Sequence, residues 1–533
     1  MMGKEPKKHL VKMEKNGIIY VYESESYWDK DKKQPRSRRK LIGHVDPETG
    51  GIVPNRKYVK DAPFARTLVC GPHILFDHIA SSLGLKQALH RVFPAKAETI
   101  LTCAYYMLSE GAALSRCEQW SAGALTPLGG RLGDQRISEL LEYLTRDRQM
   151  GFFDLWVKTS AENDTYALDI TSISSYSNEI GIVRAGYNRD HENLEQINLA
   201  LLIGSKTFRP LFYSILPGNI NDRSSLKRFV GTVNSLGFKG FRIVMDKGFC
   251  TKGNIDMLYT EGMKFTISLL NSLKFASEAV SEAKDSIVQF KNYRQVMGSK
   301  VFLTSSLKDW NGHRCYTHVY FDETKKQNDI ERFMERLLKC RSVLEKGEAV
   351  PEKDRPFSET YFTVKETPKR GRKVISNEEA ISEYREKDAG FLVLISNCEK
   401  DPVKCLEVYR SKETAESGFD DLKNDEDLRR LGVHREGRMD GKVFIAFIAL
   451  AIKMEMNRVV YSDDELKHRS VQEIIDELKL LRCTFIPGRR RPFTTEPTKL
   501  QKTVMRAFGI GSDFAADLPE PADEPEIDSS ADE

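Results

Sequence analysis

Apolar and polar residues recur with different periods along the chain, and the changes of period divide it into segments. Residues 164–270 alternate strand-like and helix-like runs in the order β-β-β-α-β-α-β, beginning with DTYALDITSIS (164–174) and including FRIVMDKGF (241–249). A further apolar strand, GFLVLIS (390–396), precedes an amphipathic helix at 405–424. These patterns predict an α/β protein with a mixed sheet and flanking helices.

The same changes of period predict seven segments in this chain of 533 residues. They are a basic strand and hairpin module (1–60), a helical region (61–160), the first part of an α/β core (161–272), a charged, β-rich insertion (273–388), the second part of the core (389–460), a C-terminal helical region (461–512) and an acidic tail expected to be disordered (513–533). In the helical region, short helices divided by Gly-containing turns fit either a helix-turn-helix DNA reader or a plain helical packing domain.

The charges are unevenly distributed. The chain has 82 Lys and Arg against 78 Asp and Glu, but its last 21 residues hold nine acids and no base, so the remainder carries an excess of 13 positive charges. This excess is compatible with a nucleic-acid partner. The most concentrated basic run, at 29–40, has two interpretations: a solvated loop, or a contact with DNA phosphates. The candidate DNA-binding residues of this run are Arg36, Arg38, Arg39 and Lys40.

Composition also indicates a compartment. The nine Cys are scattered without a CxxC pair, which is typical of reduced thiols rather than of a disulfide framework. The first ten residues lack the apolar stretch of a signal peptide. The most apolar run, VFIAFIALAI (443–452), is about half the length of a membrane span and predicts a buried helix. We therefore expect a cytoplasmic protein without a membrane partner.

The helix predicted at 405–424 carries a narrow polar stripe. At about 100° per residue, Tyr409, Lys412, Glu416 and Lys423 fall at roughly 0°, 300°, 340° and 320°. A carboxylate among cations and a tyrosine suits a site that handles phosphate. Lys412 and Lys423 would neutralise phosphate, and Tyr409 would stack on a base or donate to a phosphate.

Two further acids lie where strands are predicted. Asp169 is in the middle of an apolar strand, where an unpartnered carboxylate is costly, and Asp246 ends another strand before a Gly turn. Together with Glu416, these acids would repel one another unless a cation joined them, and carboxylate oxygens suit one or two Mg²⁺ or Mn²⁺ ions. Glu413 and Asp420 are alternatives to Glu416 on nearly the same helix face.

The motifs YALDITS, IVMDKGF and YRSKETAESGFDDLK resemble, in this order, the DDE transposases of bacterial insertion sequences. More narrowly, the chain is similar over roughly residues 15–510 to the branch with a Y-x2-R-x3-E-x6-K signature and a β-rich insertion before the last Glu. The resemblance implies an RNase H-like catalytic core and cut-and-paste strand transfer at the terminal inverted repeats of an element, into target DNA, by a synaptic homodimer. It implies that Asp169, Asp246 and Glu416 are catalytic metal ligands and that Tyr409 and Lys423 contact DNA.

The chain departs from this signature at one position, because Lys412 stands where the signature has Arg. Lysine retains the charge but loses the bidentate fork of arginine. Two other functions remain open from the sequence. One is an RNase H-fold endonuclease that cuts without strand transfer, and the other is a non-catalytic DNA-binding derivative.

Overall fold

The computed structural model describes residues 8–519 with short gaps. The gaps are 16, 30–33, 48–49, 55–64, 161–164, 178, 187–191, 193, 220–221, 238–241, 368–370, 388, 426–429, 487–488, 490 and 516–517. Most of the acidic tail predicted to be disordered, residues 520–533, lies outside the described residues.

The chain begins with an antiparallel four-stranded sheet. Its strands are β1 (Lys8–Lys15), β2 (Ile18–Asp29), β3 (Gln34–Val45) and β4 (Ile52–Pro54). Most of the basic run belongs to β3, so its interpretation as a loop is wrong for residues 34–40. These residues form a strand because they pair with β2, where Arg38 lies opposite Glu25 and Lys40 lies opposite Glu23.

A short strand and six helices follow. They are β5 (Arg66–Val69), α1 (Gly71–Ser82), α2 (Leu85–Val92), α3 (Ala97–Glu110), α4 (Cys117–Gly123), α5 (Asp134–Tyr143) and α6 (Arg146–Ser160). The apolar periodicity of residues 73–93 continues across Leu83 and Gly84, where the structure changes helix. Gly84 has φ +74°, a left-handed conformation that ends α1 and that glycine adopts without steric cost.

The main sheet contains the predicted order β-β-β-α-β-α-β. Its elements here are β6 (Thr165–Ser175), β7 (Glu195–Gly204), β8 (Pro210–Pro217), α7 (Asp222–Ser235), β9 (Arg242–Met245), α8 (Lys252–Thr260) and β10 (Lys264–Ser268). Strands β6, β7 and β8 form an antiparallel meander, whereas β9 pairs in parallel with both β6 and β10.

The charged segment 273–388 is partly continuous with this sheet. It contains α9 (Lys274–Ile287), β11 (Tyr293–Val296), β12 (Ser299–Trp310), β13 (His313–Phe321), α10 (Glu323–Lys346), α11 (Arg355–Tyr361), β14 (Phe362–Thr367), β15 (Gly371–Ser376) and α12 (Glu378–Lys387). Strand β16 (Phe391–Ser396) lies between β10 and β13, which gives the nine-stranded order β11-β12-β13-β16-β10-β9-β6-β7-β8. Only β14 and β15 form a separate hairpin among the described strands of this segment.

The helix predicted at 405–424 is broken into three parts, so the single stripe along it is not one continuous helix face. The parts are α13 (Pro402–Arg410), α14 (Glu413–Asp420) and a π-helical turn (Asp421–Asp425). At the first break Lys412 N donates to Tyr409 O, three residues back rather than four, which tightens the turn.

The remaining elements join the C-terminal region to the N-terminal helices. They are α15 (Glu436–Ser462), α16 (Val471–Leu478), β17 (Arg482–Phe485), β18 (Phe493–Thr494) and α17 (Lys499–Ala507). Strand β17 pairs with β5, and α15 is buried along most of its length, as the apolar run predicted. Phe444 of α15 packs edge-to-face on Phe93 and Phe152. Within the described ranges, no helix is long and apolar enough to cross a membrane.

Asp440, near the start of α15, makes the stability of the protein depend on pH. Burial raises its pKa to about 6, although Arg146 opposes this shift. A carboxyl with a raised pKa contributes stability that is fully present below the unfolded pKa and is lost as the pH rises through the folded one. We expect Asp440→Asn to raise the free energy of unfolding by about 1 kcal/mol at pH 7.5, after allowance for solvent screening. Urea unfolding at pH 7.5 and pH 4.5 measures this, and an equal gain at both values would contradict it.

Candidate active site

Asp169 and Asp246 lie side by side in the main sheet. Strands β6 and β9 are parallel neighbours, and Leu168 pairs with Met245, so the next residue on each strand is an aspartate. Adjacent strands are about 4.8 Å apart. Asp169 is half-buried and its Oδ1 accepts from the backbone N–H of Ile170 at 2.8 Å. The acid predicted in mid-strand and the acid predicted at a strand end therefore meet at one point of the sheet.

Tyr409 of α13 reaches the same point. Its hydroxyl donates to Asp246 Oδ1 at 2.9 Å, and its side chain is buried. Burial raises the pKa of Tyr409 well above its ordinary value, and the negative charge of Asp246 adds to the shift. Tyr409 therefore remains protonated and orients one oxygen of Asp246. This contact differs from the base stacking or phosphate contact expected for the residue from sequence.

Lys412, in the break between α13 and α14, lies among the three acids. Its Nζ forms an ion pair with Glu416 Oε1 at 2.5 Å and lies 5.6 Å from the centre of the Tyr409 ring. Burial by itself would lower the pKa of Lys412. The hydrogen bond to Glu416, and the charges of Asp246, Glu416 and Asp169, outweigh burial and raise this pKa. The ammonium group thus balances the carboxylates.

Helix α14 carries Glu416 to this region by packing closely on β7. A Cβ atom at Gly418 would lie 2.7 Å from Ile203 Cδ1 and 3.7 Å from Leu201 Cδ2. Leu201 is the residue paired with Asp169 across the β6–β7 ladder. The lack of a side chain at Gly418 therefore lets α14 approach the strand next to Asp169. Glu416, two residues earlier, is half-exposed and can reorient.

The other candidate DNA-binding residues lie elsewhere. Lys423 is buried in the π-helical turn after α14, where the neighbouring Asp421 contacts Asn457 and Lys453 of α15. The basic residues of β3 belong to the separate N-terminal sheet and are exposed; they are Arg36, Arg38, Arg39 and Lys40. Arg39 Nη1 donates to Met13 Sδ at 3.3 Å.

Ser268 is a residue of this region that the sequence interpretation missed. It ends β10, which is parallel to β9 with Ile267 opposite Met245, so Ser268 follows in the same row as Asp246. Its hydroxyl lies close to Tyr409 and counteracts part of the rise in the pKa of that phenol. The sequence predicts a strand at KFTISL (264–269), and the position of Ser268 near the end of that strand could have identified it as a site residue.

The part of the chain that the structure describes contains no group of three or more His, Cys, Asp or Glu side chains already spaced to hold a metal ion. Instead, the Lys412 ammonium serves as the local cation. Carboxylate oxygens that gather around an ammonium group have the donor chemistry that a hard divalent cation prefers. The oxygens of Asp169, Asp246 and Glu416 therefore fit such a cation, provided that Glu416 releases Lys412 and turns to the cation.

Neighbouring aspartates on parallel strands of a mixed sheet, with a carboxylate on a helix packed against that sheet, form the arrangement expected from the resemblance to DDE transposases. The sequence profile described as "Transposase DDE domain" matches residues 161–452, more than half of the chain. The chain belongs to this family of DDE transposases.

Two solved structures are similar to the chain at low identity. One is the piggyBac transposase synaptic complex with hairpin DNA, at 12% identity over 86% of this chain and 79% of that chain, with a TM-score of 0.34. The other is the Mos1 transposase paired-end complex with the left transposon end, at 10% identity over 34% of this chain and 57% of that chain, with a TM-score of 0.14. These scores are too low to bear on the fold. No curated protein matches the sequence.

Proposed function

We propose that this transposase cleaves DNA at the terminal inverted repeats of a bacterial insertion sequence and joins the freed 3′ ends to target DNA. The observation that carries this proposal is the meeting of Asp169 and Asp246 on adjacent parallel strands, with Lys412 and Glu416 beside them. Neighbouring carboxylates of this kind bind the cations that activate a nucleophile and stabilise a leaving oxygen in phosphodiester displacement. The acting species is a homodimer, because two element ends must be joined.

The sheet order supports an RNase H-like catalytic core. The meander β6–β8 followed by β9 and β10, parallel to β6, forms the strand order β8-β7-β6-β9-β10. We assign this core to residues 161–272 and 389–460, interrupted by the insertion 273–388, which adds β11, β12 and β13 to the sheet beyond β16. The helices of residues 61–160 would bind the element ends, and the sheet of residues 1–60 would add phosphate contacts.

Asp169, Asp246 and Glu416 would hold one or two Mg²⁺ or Mn²⁺ ions. When bound, such ions supply the activation of water and the stabilisation of the leaving 3′ oxygen. Tyr409 holds Asp246 in one orientation through its hydroxyl. Lys412 balances the charge of the carboxylates, and with a cation bound to them it would be free to neutralise a phosphate of the DNA strand. Lys423 is buried in the turn after α14, so we assign it no direct contact with DNA.

Glu416→Gln is expected to lower the rate of cleavage by about 10²-fold or more, because the amide keeps the shape of the side chain but loses the charge that binds the cation. Asp420→Asn, one turn further along α14 and exposed, is the matched control and should leave the rate within twofold. Cleavage of a labelled element end measures both variants. If Asp420→Asn were the damaging change, the third acid would be assigned to the wrong residue.

The whole proposal is tested with a supercoiled donor plasmid that carries candidate inverted repeats. We expect cleavage at the repeats in Mg²⁺ or Mn²⁺, none in EDTA, and joining of the 3′ ends to a second plasmid. Cleavage without joining would favour the RNase H-fold endonuclease. Specific binding to the repeats without cleavage in any divalent metal would favour the DNA-binding derivative.

A further inference from the structure

A half-open groove lies where the N-terminal helices meet the start of α15, apart from the carboxylate site. Its volume is about 300 Å³. Four segments form its walls: the turn of residues 113–115 after α3, helix α5, the loop of residues 432–435 and the first turns of α15. The groove therefore joins the helical region that would bind the element ends to the catalytic core.

The lining of this groove is rich in accessible donors. Arg435 and Arg438 expose 68% and 34% of their side chains, and His434 is also exposed. Ser115 and Ser138 add hydroxyl groups from the turn after α3 and from α5. Guanidinium and hydroxyl groups are the side-chain donors that bind phosphate oxygens in nucleic acids. The groove therefore has the donor chemistry of a phosphate-binding surface, supplied by four separate segments of the chain.

The acids near this groove offset its positive charge only in part. Asp134 lines the groove at the start of α5, and Glu142, near the end of α5, is shared by two arginines. Glu142 Oε1 accepts from Arg438 Nε at 2.8 Å and lies 3.6 Å from Arg435 Nη1. Ion pairs between exposed side chains contribute little to stability. A phosphate can therefore replace Glu142 at these guanidinium groups.

The loop that leads into α15 is fixed to the strand that carries Asp169. Leu431 N donates to Ser174 O at 2.9 Å, and Ser177 Oγ donates to His434 O at 2.9 Å. Five residues of β6 separate Ser174 from Asp169, which is about 17 Å of strand. Because a DNA duplex advances about 3.4 Å per base pair, this distance corresponds to about five base pairs.

We propose that this groove binds backbone phosphates of the DNA duplex about five base pairs from the phosphate that is cleaved. Arg435 and Arg438 donate to the phosphate oxygens, and the hydroxyl of Ser138 adds a further donor. The inference rests on the proposed function, because it takes the partner to be the duplex that lies across Asp169. Contacts of this kind hold the duplex in register without reading its sequence.

Fluorescence anisotropy of a labelled duplex over a series of salt concentrations tests the proposal, in EDTA so that no cleavage occurs. Arg435→Ala and Arg438→Ala should each weaken binding several-fold. Each should also reduce the slope of log K against log salt by about 1, because one phosphate contact is lost. Glu142→Gln should tighten binding, because it frees both guanidinium groups. Weaker or unchanged binding by Glu142→Gln would contradict the proposal.

An ion pair on α10 provides matched controls. Arg341 Nε lies 2.7 Å from Glu345 Oε1, and the two side chains are 57% and 50% exposed. Arg341→Ala and Glu345→Gln change the net charge of the protein by the same amounts as the groove variants, and they should leave the affinity and the salt slope unchanged. Equal effects in the control pair would show a general influence of charge and would overturn the assignment to the groove. Melting temperatures establish that all the variants fold.

Single neutral methylphosphonates in the duplex locate the contact. With the wild type, replacement of the phosphate about five base pairs from the cleavage site should weaken binding. With Arg435→Ala the same replacement should have little further effect, because the contact is already lost. Undiminished sensitivity of both arginine variants at this phosphate would overturn the proposal.

The outcome is separable from that of the proposed function. Asp246→Asn should show the wild-type salt slope although it does not cleave. Cleavage by the wild type together with unchanged slopes in Arg435→Ala and Arg438→Ala would overturn the groove assignment alone. The expected slopes without cleavage in any divalent metal would overturn the catalytic proposal and leave the groove as a DNA-binding surface.

Discussion

Asp246→Asn is expected to reduce DNA cleavage and strand transfer by about 10³-fold or more, because it removes one of the two adjacent charges that hold the catalytic cation. The asparagine oxygen can still accept from the Tyr409 hydroxyl, so the contact at 2.9 Å and the fold should be retained. Cleavage of a supercoiled donor measures the loss, while a gel shift with the element end and the melting temperature establish that binding and folding remain.

Asp285→Asn is the matched control for this change, because Asp285 is an exposed aspartate on α9. It should cleave at the wild-type rate. Tyr409→Phe removes only the group that orients Asp246 and should lower the rate by an intermediate factor of about 10–100. Cleavage by Asp246→Asn at the wild-type rate would show that the active site lies elsewhere.

Gly441→Ala is expected to lower the free energy of unfolding by about 2 kcal/mol or more, although helix propensity alone favours alanine by about 1 kcal/mol. Gly441 lies inside α15, where a Cβ atom would stand 2.3 Å from the carbonyl oxygen and 2.6 Å from the Cα of Leu141 in α5. These are backbone atoms, so relief of the overlap requires the two helices to separate. Urea unfolding and the melting temperature measure the effect.

Gly437→Ala in the same helix is the matched control. A Cβ atom at Gly437 meets no atom within 4 Å, so alanine should stabilise the protein by up to about 1 kcal/mol. The two substitutions are chemically identical and differ only in what the new methyl group contacts. A gain in stability for both would mean that α15 and α5 are not in close contact.

Local sequence patterns predicted many elements of the fold because they depend on neighbouring residues. Alternating apolar positions identified β6 with Asp169 inside it, and the run that ends in Asp246 identified β9. The ten apolar residues at 443–452 identified the buried α15. Local patterns did not predict that residues 34–40 form a strand. These residues are highly charged, and they form a strand because they pair with acidic residues of β2.

The helix of residues 405–424 shows where local periodicity fails. The spacing of Tyr409, Lys412 and Glu416 indicated one polar stripe along a single helix. In the structure that helix is interrupted at Ser411 and Lys412, between α13 and α14. With this interruption, the Tyr409 hydroxyl contacts Asp246 and Lys412 lies between the acids. The periodicity of a single straight helix does not predict these two contacts. The role of Tyr409 toward Asp246 therefore depended on tertiary contacts.

The sequence by itself determined the identity and order of the acids, the strand and helix content around them and the resemblance to DDE transposases, since these are properties of short segments. Tertiary structure alone decided that Asp169 and Asp246 are neighbours, that β11–β13 extend the main sheet, and that β5 pairs with β17. The physical reason is that strand pairing and helix packing join segments far apart in the chain. Their partners are selected by the burial of whole faces rather than by any local pattern.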